Sequence, residues 1–124
     1  MDNNDTKYSI YDRNLSFAVD KLKNREYEEA YKIIIGAICS NPNAPEPHNL
    51  LGLWYEINGQ EPMARKHYRV AYVLDPTYKP ACNNLERIST FFISKEIPLD
   101  FGVLEEQEIR NEKRDKQNDR KYNQ

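Results

Sequence analysis

Charge of one sign is in short supply in this chain. Eighteen lysines and arginines stand against twenty aspartates and glutamates, a formal net charge of −2. Without a basic excess, binding to nucleic acid by phosphate neutralisation is disfavoured. Long hydrophobic runs are missing too. No stretch reaches the roughly 18 apolar residues that a membrane-spanning helix requires, and mean hydropathy is −0.92. Cysteine is scarce: Cys39 and Cys82 are too few and too far apart for a disulfide framework or a paired-cysteine metal site, and buried reduced thiols are expected. The opening residues, Met1 to Asn14, are acidic and polar, unlike a secretory signal, so a cytoplasmic location is expected.

Convergent chemistry is equally sparse. The two histidines, His48 and His67, lack the partners at ligand spacing that a metal site needs. All four glycines are isolated, which excludes a glycine-rich phosphate loop. No serine–histidine–aspartate arrangement can be argued from the spacing. The expectation is a non-catalytic protein with no cofactor and no metal.

What is present is a repeat. Displacing the sequence by 34 residues sets Ala30 on Ala64, Ala37 on Ala71, Pro42 on Pro76 and Ala18 on Gly52. Phe17 then falls on Leu51, Ile34 on Tyr68 and Asn41 on Asp75. Each pair keeps size or role. The second copy reads as an apolar helix, an Asn58-Gly59 break, a second helix beginning near Pro62, and an Asp75-Pro76 stop. Gly59 suits a left-handed helix cap, and Pro62 suits a first helical turn, where its missing N–H does no harm. An antiparallel helix hairpin follows. Gly52 falls in mid-helix, where glycine costs about 1 kcal/mol relative to alanine. Placed on the face meeting the partner helix, with Ala64 the small residue opposite, it lets the two backbones approach and gain dispersion contacts.

In this the chain resembles the tetratricopeptide repeats, whose 34-residue pattern carries an aromatic, Leu-Gly, Tyr, Ala, an aromatic, Ala and a closing Pro. Residues 45–78 hold His48, Leu51-Gly52, Tyr55, Ala64, Tyr68, Ala71 and Pro76 at those places; residues 11–44 hold Asn14, Phe17-Ala18, Lys21, Ala30, Ile34, Ala37 and Pro42. Asn14 and Lys21 depart from the pattern, which suits an end repeat. The resemblance implies an all-α fold, a right-handed superhelical solenoid of hairpins. A lead-in (1–10) precedes repeats at 11–44 and 45–78, a capping helix at 79–96, and an apolar connector with a charged tail at 97–124. Helices are expected at 10–23, 27–40, 45–58, 61–74 and 78–95, the last running through Ser94. The tail, with six acidic and six basic residues from 105 to 124, is expected to form a partly frayed helix laced by pairs such as Glu106–Arg110 and Glu112–Lys116.

The resemblance further implies a concave groove that receives a peptide or helix from another protein. By repeat position its lining is Asp12, Leu15, Val19 and Leu22 from the first helix, Asn49, Leu53 and Glu56 from the third, and Asn83 and Arg87 from the fifth. Some family members grip the C-terminal carboxylate of chaperone partners there; the equivalent places hold Leu15, Val19, Leu50, Pro80 and Asn84, so that clamp is absent. Three occupants stay open: a foreign peptide, a second copy of the chain in a homodimer, or the chain itself through its N-terminus or residues 97–104. The last segment or a second chain is also expected to cover the end hairpin, since two hairpins make a thin core. The leading expectation is an adaptor, scaffold or assembly factor. The alternative is a regulatory subunit whose charged tail contacts nucleic acid or ribosomal surfaces.

Overall fold

The computed structural model describes residues 9–90 and 97–102. Among them are five α-helices and no strand: α1 (Ile10–Lys23), α2 (Tyr27–Ser40), α3 (Pro45–Ile57), α4 (Glu61–Leu74) and α5 (Lys79–Ser89). Each helix packs on the next in sequence, and α3 also touches α1 and α5. The lead-in before Ser9, the tail beyond Gly102 and the expected last turns of the fifth helix at 91–96 lie outside the described residues.

Local chemistry sets the boundaries. Ser9 caps α1 reciprocally: its hydroxyl accepts from the Asp12 N–H, and the Asp12 carboxylate accepts from the Ser9 N–H, each at 3.1 Å. Such a cap contributes about 1 kcal/mol. The helices α3, α4 and α5 each carry proline in the first turn, where the backbone donor is unused in any case. The fifth helix ends earlier than Ser94, because Thr90 is extended (φ −75°, ψ 132°). Its hydroxyl donates to the Glu86 and Arg87 carbonyls, both at 2.8 Å.

The 34-residue register recurs in the main-chain bonding. After α1, Arg25 N donates to Leu22 O and Glu26 N to Lys21 O; after α3, Gly59 N donates to Glu56 O and Gln60 N to Tyr55 O. At the other turns, Asn41 N and Asp75 N reach the carbonyls of Ala37 and Ala71, and Ala44 N and Tyr78 N reach those of Asn41 and Asp75. The left-handed residue is Gly59 (φ 79°) in one hairpin and Arg25 (φ 62°) in the other. The arginine takes a conformation that costs an L-residue about 1–2 kcal/mol.

The core lies between the helices. Ala18, Ala30, Ala64, Ile34, Leu50, Leu53 and Tyr68 are fully buried. Gly52 faces α4 across the second hairpin. A methyl group built there would sit 2.5 Å from Cδ1 of Tyr68 and nearer still to Cε1. The glycine therefore makes room for an aromatic ring of the partner helix, on which Ala64, the small residue expected opposite, is also fully buried. In the first hairpin the same two places hold Ala18 and Ile34, both fully buried: a methyl more on one helix, a smaller side chain on the other. Trp54 joins the hairpins, donating through Nε1 to the Tyr27 carbonyl at 2.8 Å and packing 5.0 Å from Tyr31.

Candidate peptide-binding groove

The helices α1, α3 and α5 share a face, and residues 97–102 lie across it without helix or strand structure of their own. Two asparagines hold this strap by its main chain. Asn84, fully buried on α5, donates from Nδ2 to the Asp100 carbonyl at 2.8 Å and accepts the Asp100 N–H at 2.9 Å. A side-chain amide offering one donor and one acceptor imitates the edge of a neighbouring strand. Asn49, fully buried on α3, donates to the carbonyls of Asp100 (3.0 Å) and Phe101 (3.4 Å), and its own Oδ1 accepts from Asn84 at 2.8 Å. A buried amide left unpaired costs about 1–3 kcal/mol, so these two side chains require main-chain partners in the groove.

The strap's own side chains complete the fit. Leu99 and Phe101 pack on the core cluster, and the Lys23 ammonium of α1 lies 4.8 Å from the centre of the Phe101 ring. The Asp100 carboxylate accepts from Asn83 Nδ2 at 2.9 Å and from the Gly102 N–H at 3.1 Å. Gly102 is left-handed (φ 72°), and a methyl group there would overlap the Tyr78 hydroxyl and approach two Pro80 carbons at 2.9 Å. Burial, then the charges of Glu46 and Asp100, hold the Tyr78 phenol well above its usual range. At the α1 end the Tyr11 phenol is pushed up to about 12, by burial first and then by Glu46 and Asp12. Between α5 and the start of the strap is an open cleft of about 500 Å³, bordered by Glu86, Arg87, Thr90 and Ile97.

The sequence-derived groove residues fall into three groups. Leu15, Val19, Leu22 and Leu53 are at most 2 % exposed and belong to the core cluster on which Leu99 and Phe101 pack. Asp12 is spent on the α1 cap. Glu56 and Arg87 are bound to each other, with both Arg87 terminal nitrogens on the Glu56 carboxylate and the Tyr68 hydroxyl donating to Glu56 Oε1 at 2.7 Å. That carboxylate raises the pKa of Arg87, and burial followed by the same hydrogen bond raises that of Tyr68. Arg87 Nη2 also reaches Asn84 Oδ1 at 3.3 Å, which ties the ion pair to the amide pair. Of these sequence-derived residues, Asn49 and Asn83 are the ones that hydrogen-bond to the described segment in the groove. Asn84 was absent from the lining derived by repeat position. Its partnership with Asn49 spans 35 residues, one more than the repeat, so counting in register lands on Asn83.

His48 and His67 stack with ring centres 6.0 Å apart, and His67 stacks on Tyr55 at 5.3 Å. Burial lowers the pKa of both; for His67, the neighbouring His48 and Lys66 add to the effect. Cys82 is half-buried and Cys39 exposed, so the expectation that both thiols are buried does not hold for Cys39, which lies on the outer side of α2. Among the described residues no group of three or more histidine, cysteine, aspartate or glutamate side chains could hold a metal ion. None of the described helices is long and apolar enough to cross a membrane. No family model, no curated protein and no solved structure matches the chain.

Proposed function

We propose that this chain is a non-catalytic protein-interaction module, an adaptor or assembly factor, that binds an extended peptide segment of another protein in the groove on α1, α3 and α5. The architecture that goes with it is a short right-handed solenoid of the tetratricopeptide type, with those helices on its concave side. Recurrence of the same turn hydrogen bonds at a 34-residue offset supports that architecture. The observation that carries the function is the pairing of Asn49 and Asn84 with the main chain of the segment lying there. Groups aimed at a backbone accept many sequences, as expected where one extended chain is received by another.

Occupancy by residues 97–102 favours a second reading, in which the strap is a permanent part of the fold and the groove receives nothing else. Selection of a random displayed peptide library on the full chain separates the two. The interaction reading expects enriched peptides that lose binding when Asn84→Asp removes the amide donor. Absence of enrichment, or enrichment indifferent to Asn84→Asp, supports the permanent strap.

A further inference from the structure

We infer that residues 99–102, Leu-Asp-Phe-Gly, are an internal copy of the signal this groove recognises, and that a partner carrying the same apolar–acidic–aromatic–glycine pattern displaces them. The inference rests on the peptide-binding reading above and adds to it the chemistry of the ligand and the device that keeps the site closed.

Each position of the pattern has its own physical reason. Glycine is the strictest. The chain turns left-handed there and passes so close to Tyr78 and Pro80 that no Cβ fits. The aromatic comes next. Phe101 covers the core cluster while the Lys23 ammonium sits over its ring, an arrangement that favours a π-face over an aliphatic side chain. The acidic residue serves twice, taking the Asn83 amide and folding back on the Gly102 N–H. An asparagine has a single acceptor oxygen, so keeping the Gly102 contact would turn its amide NH2 toward the Asn83 donor. Leu99 asks only for an apolar side chain against the core. Between these anchors Asn49 and Asn84 hold the main chain and are indifferent to sequence.

The same contacts explain why the site is closed in the isolated chain. The strap belongs to the same chain as the groove, so its binding there is intramolecular and does not depend on protein concentration. A partner whose segment makes only the strap's contacts competes poorly. A partner displaces the strap only by making contacts beyond those of its four-residue pattern.

The test uses the full chain and a fluorescein-labelled peptide, Ile-Pro-Leu-Asp-Phe-Gly, beside a control peptide ending in Ala. Phe101→Ser loosens the strap and leaves the groove walls intact; Gly102→Ala does so without altering any side chain that faces the core. The account expects both variants to bind the glycine peptide more tightly than the wild-type chain by about tenfold or more, because the tethered competitor is weakened. It expects the alanine peptide to bind neither. In the wild-type chain, high concentrations of the glycine peptide should shift the amide resonances of Asp100 and Gly102 as the strap leaves. Equal affinity of wild type and variants, equal affinity of the two peptides, or unmoved Asp100 and Gly102 signals would each overturn the inference. If library selection yields Asn84-dependent peptides of another pattern while this peptide does not bind, the inference fails and the groove reading stands. If selection yields none, both fail.

Discussion

Replacing Gly52 by alanine sets two physical effects against each other. In an exposed helix the change stabilises by about 1 kcal/mol, since alanine is the better helix former. Here the new methyl would lie 2.5 Å from one Tyr68 ring carbon and closer to the next, whereas carbon atoms in contact rest about 3.5–4.0 Å apart. The ring must retreat by about 1 Å. Tyr68 is fully buried and tied through its hydroxyl to Glu56, so it has little room to give. Overpacking of this kind costs about 1–3 kcal/mol, and more is expected where the intruded side chain is anchored at its far end. The net expectation is a destabilisation of about 1–2 kcal/mol, or a melting temperature lower by roughly 4–15 °C for a domain of this size. The first hairpin supplies the rescue, because it holds Ala18 and Ile34 at the same places. Urea unfolding of Gly52→Ala, Tyr68→Ile and the double variant forms a cycle in which the two changes should couple favourably by about 1 kcal/mol or more. A Gly52→Ala chain as stable as wild type, or an additive cycle, refutes the close-approach argument.

Arg25→Gly should stabilise the chain by about 0.5–1 kcal/mol, the relief of a left-handed L-residue less the entropy glycine adds to the unfolded state; Gly59→Ala, with open space around the new methyl, should destabilise by a similar amount, and denaturant midpoints of the two variants check both signs. Gly102→Ala should lower the melting temperature by several degrees while far-UV circular dichroism keeps its helical signature, because it dislodges the strap and leaves the five helices. Stability should fall as pH is lowered below about 6.5: the folded-state pKa values of His48 and His67 are depressed, so the unfolded chain takes up protons first. His67→Phe should flatten that dependence in urea titrations between pH 7 and pH 5; an unchanged slope would contradict the assignment.

Turn chemistry made much of the helical framework legible before any coordinates. Asn58-Gly59 and the recurring Asn-Pro and Asp-Pro stops are strong local signals, and the observed helix ends follow them. Arg25 gave no such signal, because a left-handed arginine is held by its neighbours and not by its own preference. Gly52 marks a close approach in the second hairpin, and the side chain nearest to it is Tyr68: sequence spacing locates a crossing and does not say which side chain fills it. Pro98 sets the expected end of the fifth helix, whereas α5 closes at Ser89, where Thr90 turns extended. The groove was the least legible part. Register places Glu56 and Arg87 in its lining, yet these two, separated by 31 residues, satisfy each other. The pairing that matters, Asn84 with Asp100 and Asn49, depends on where a short apolar segment returns after leaving α5. Composition marked residues 97–104 as apolar, but no periodicity could say which main-chain atoms they would present.

Amide hydrogen exchange at Asp100 tests most directly whether these asparagines hold an extended main chain in the groove. The account predicts an Asp100 N–H slowed about a hundredfold or more relative to an unstructured chain in the intact protein, and released when Asn84→Ala removes its acceptor while the amides inside α3 and α4 stay protected. Exchange at the unstructured rate in the wild-type chain, or protection indifferent to Asn84→Ala, would contradict it.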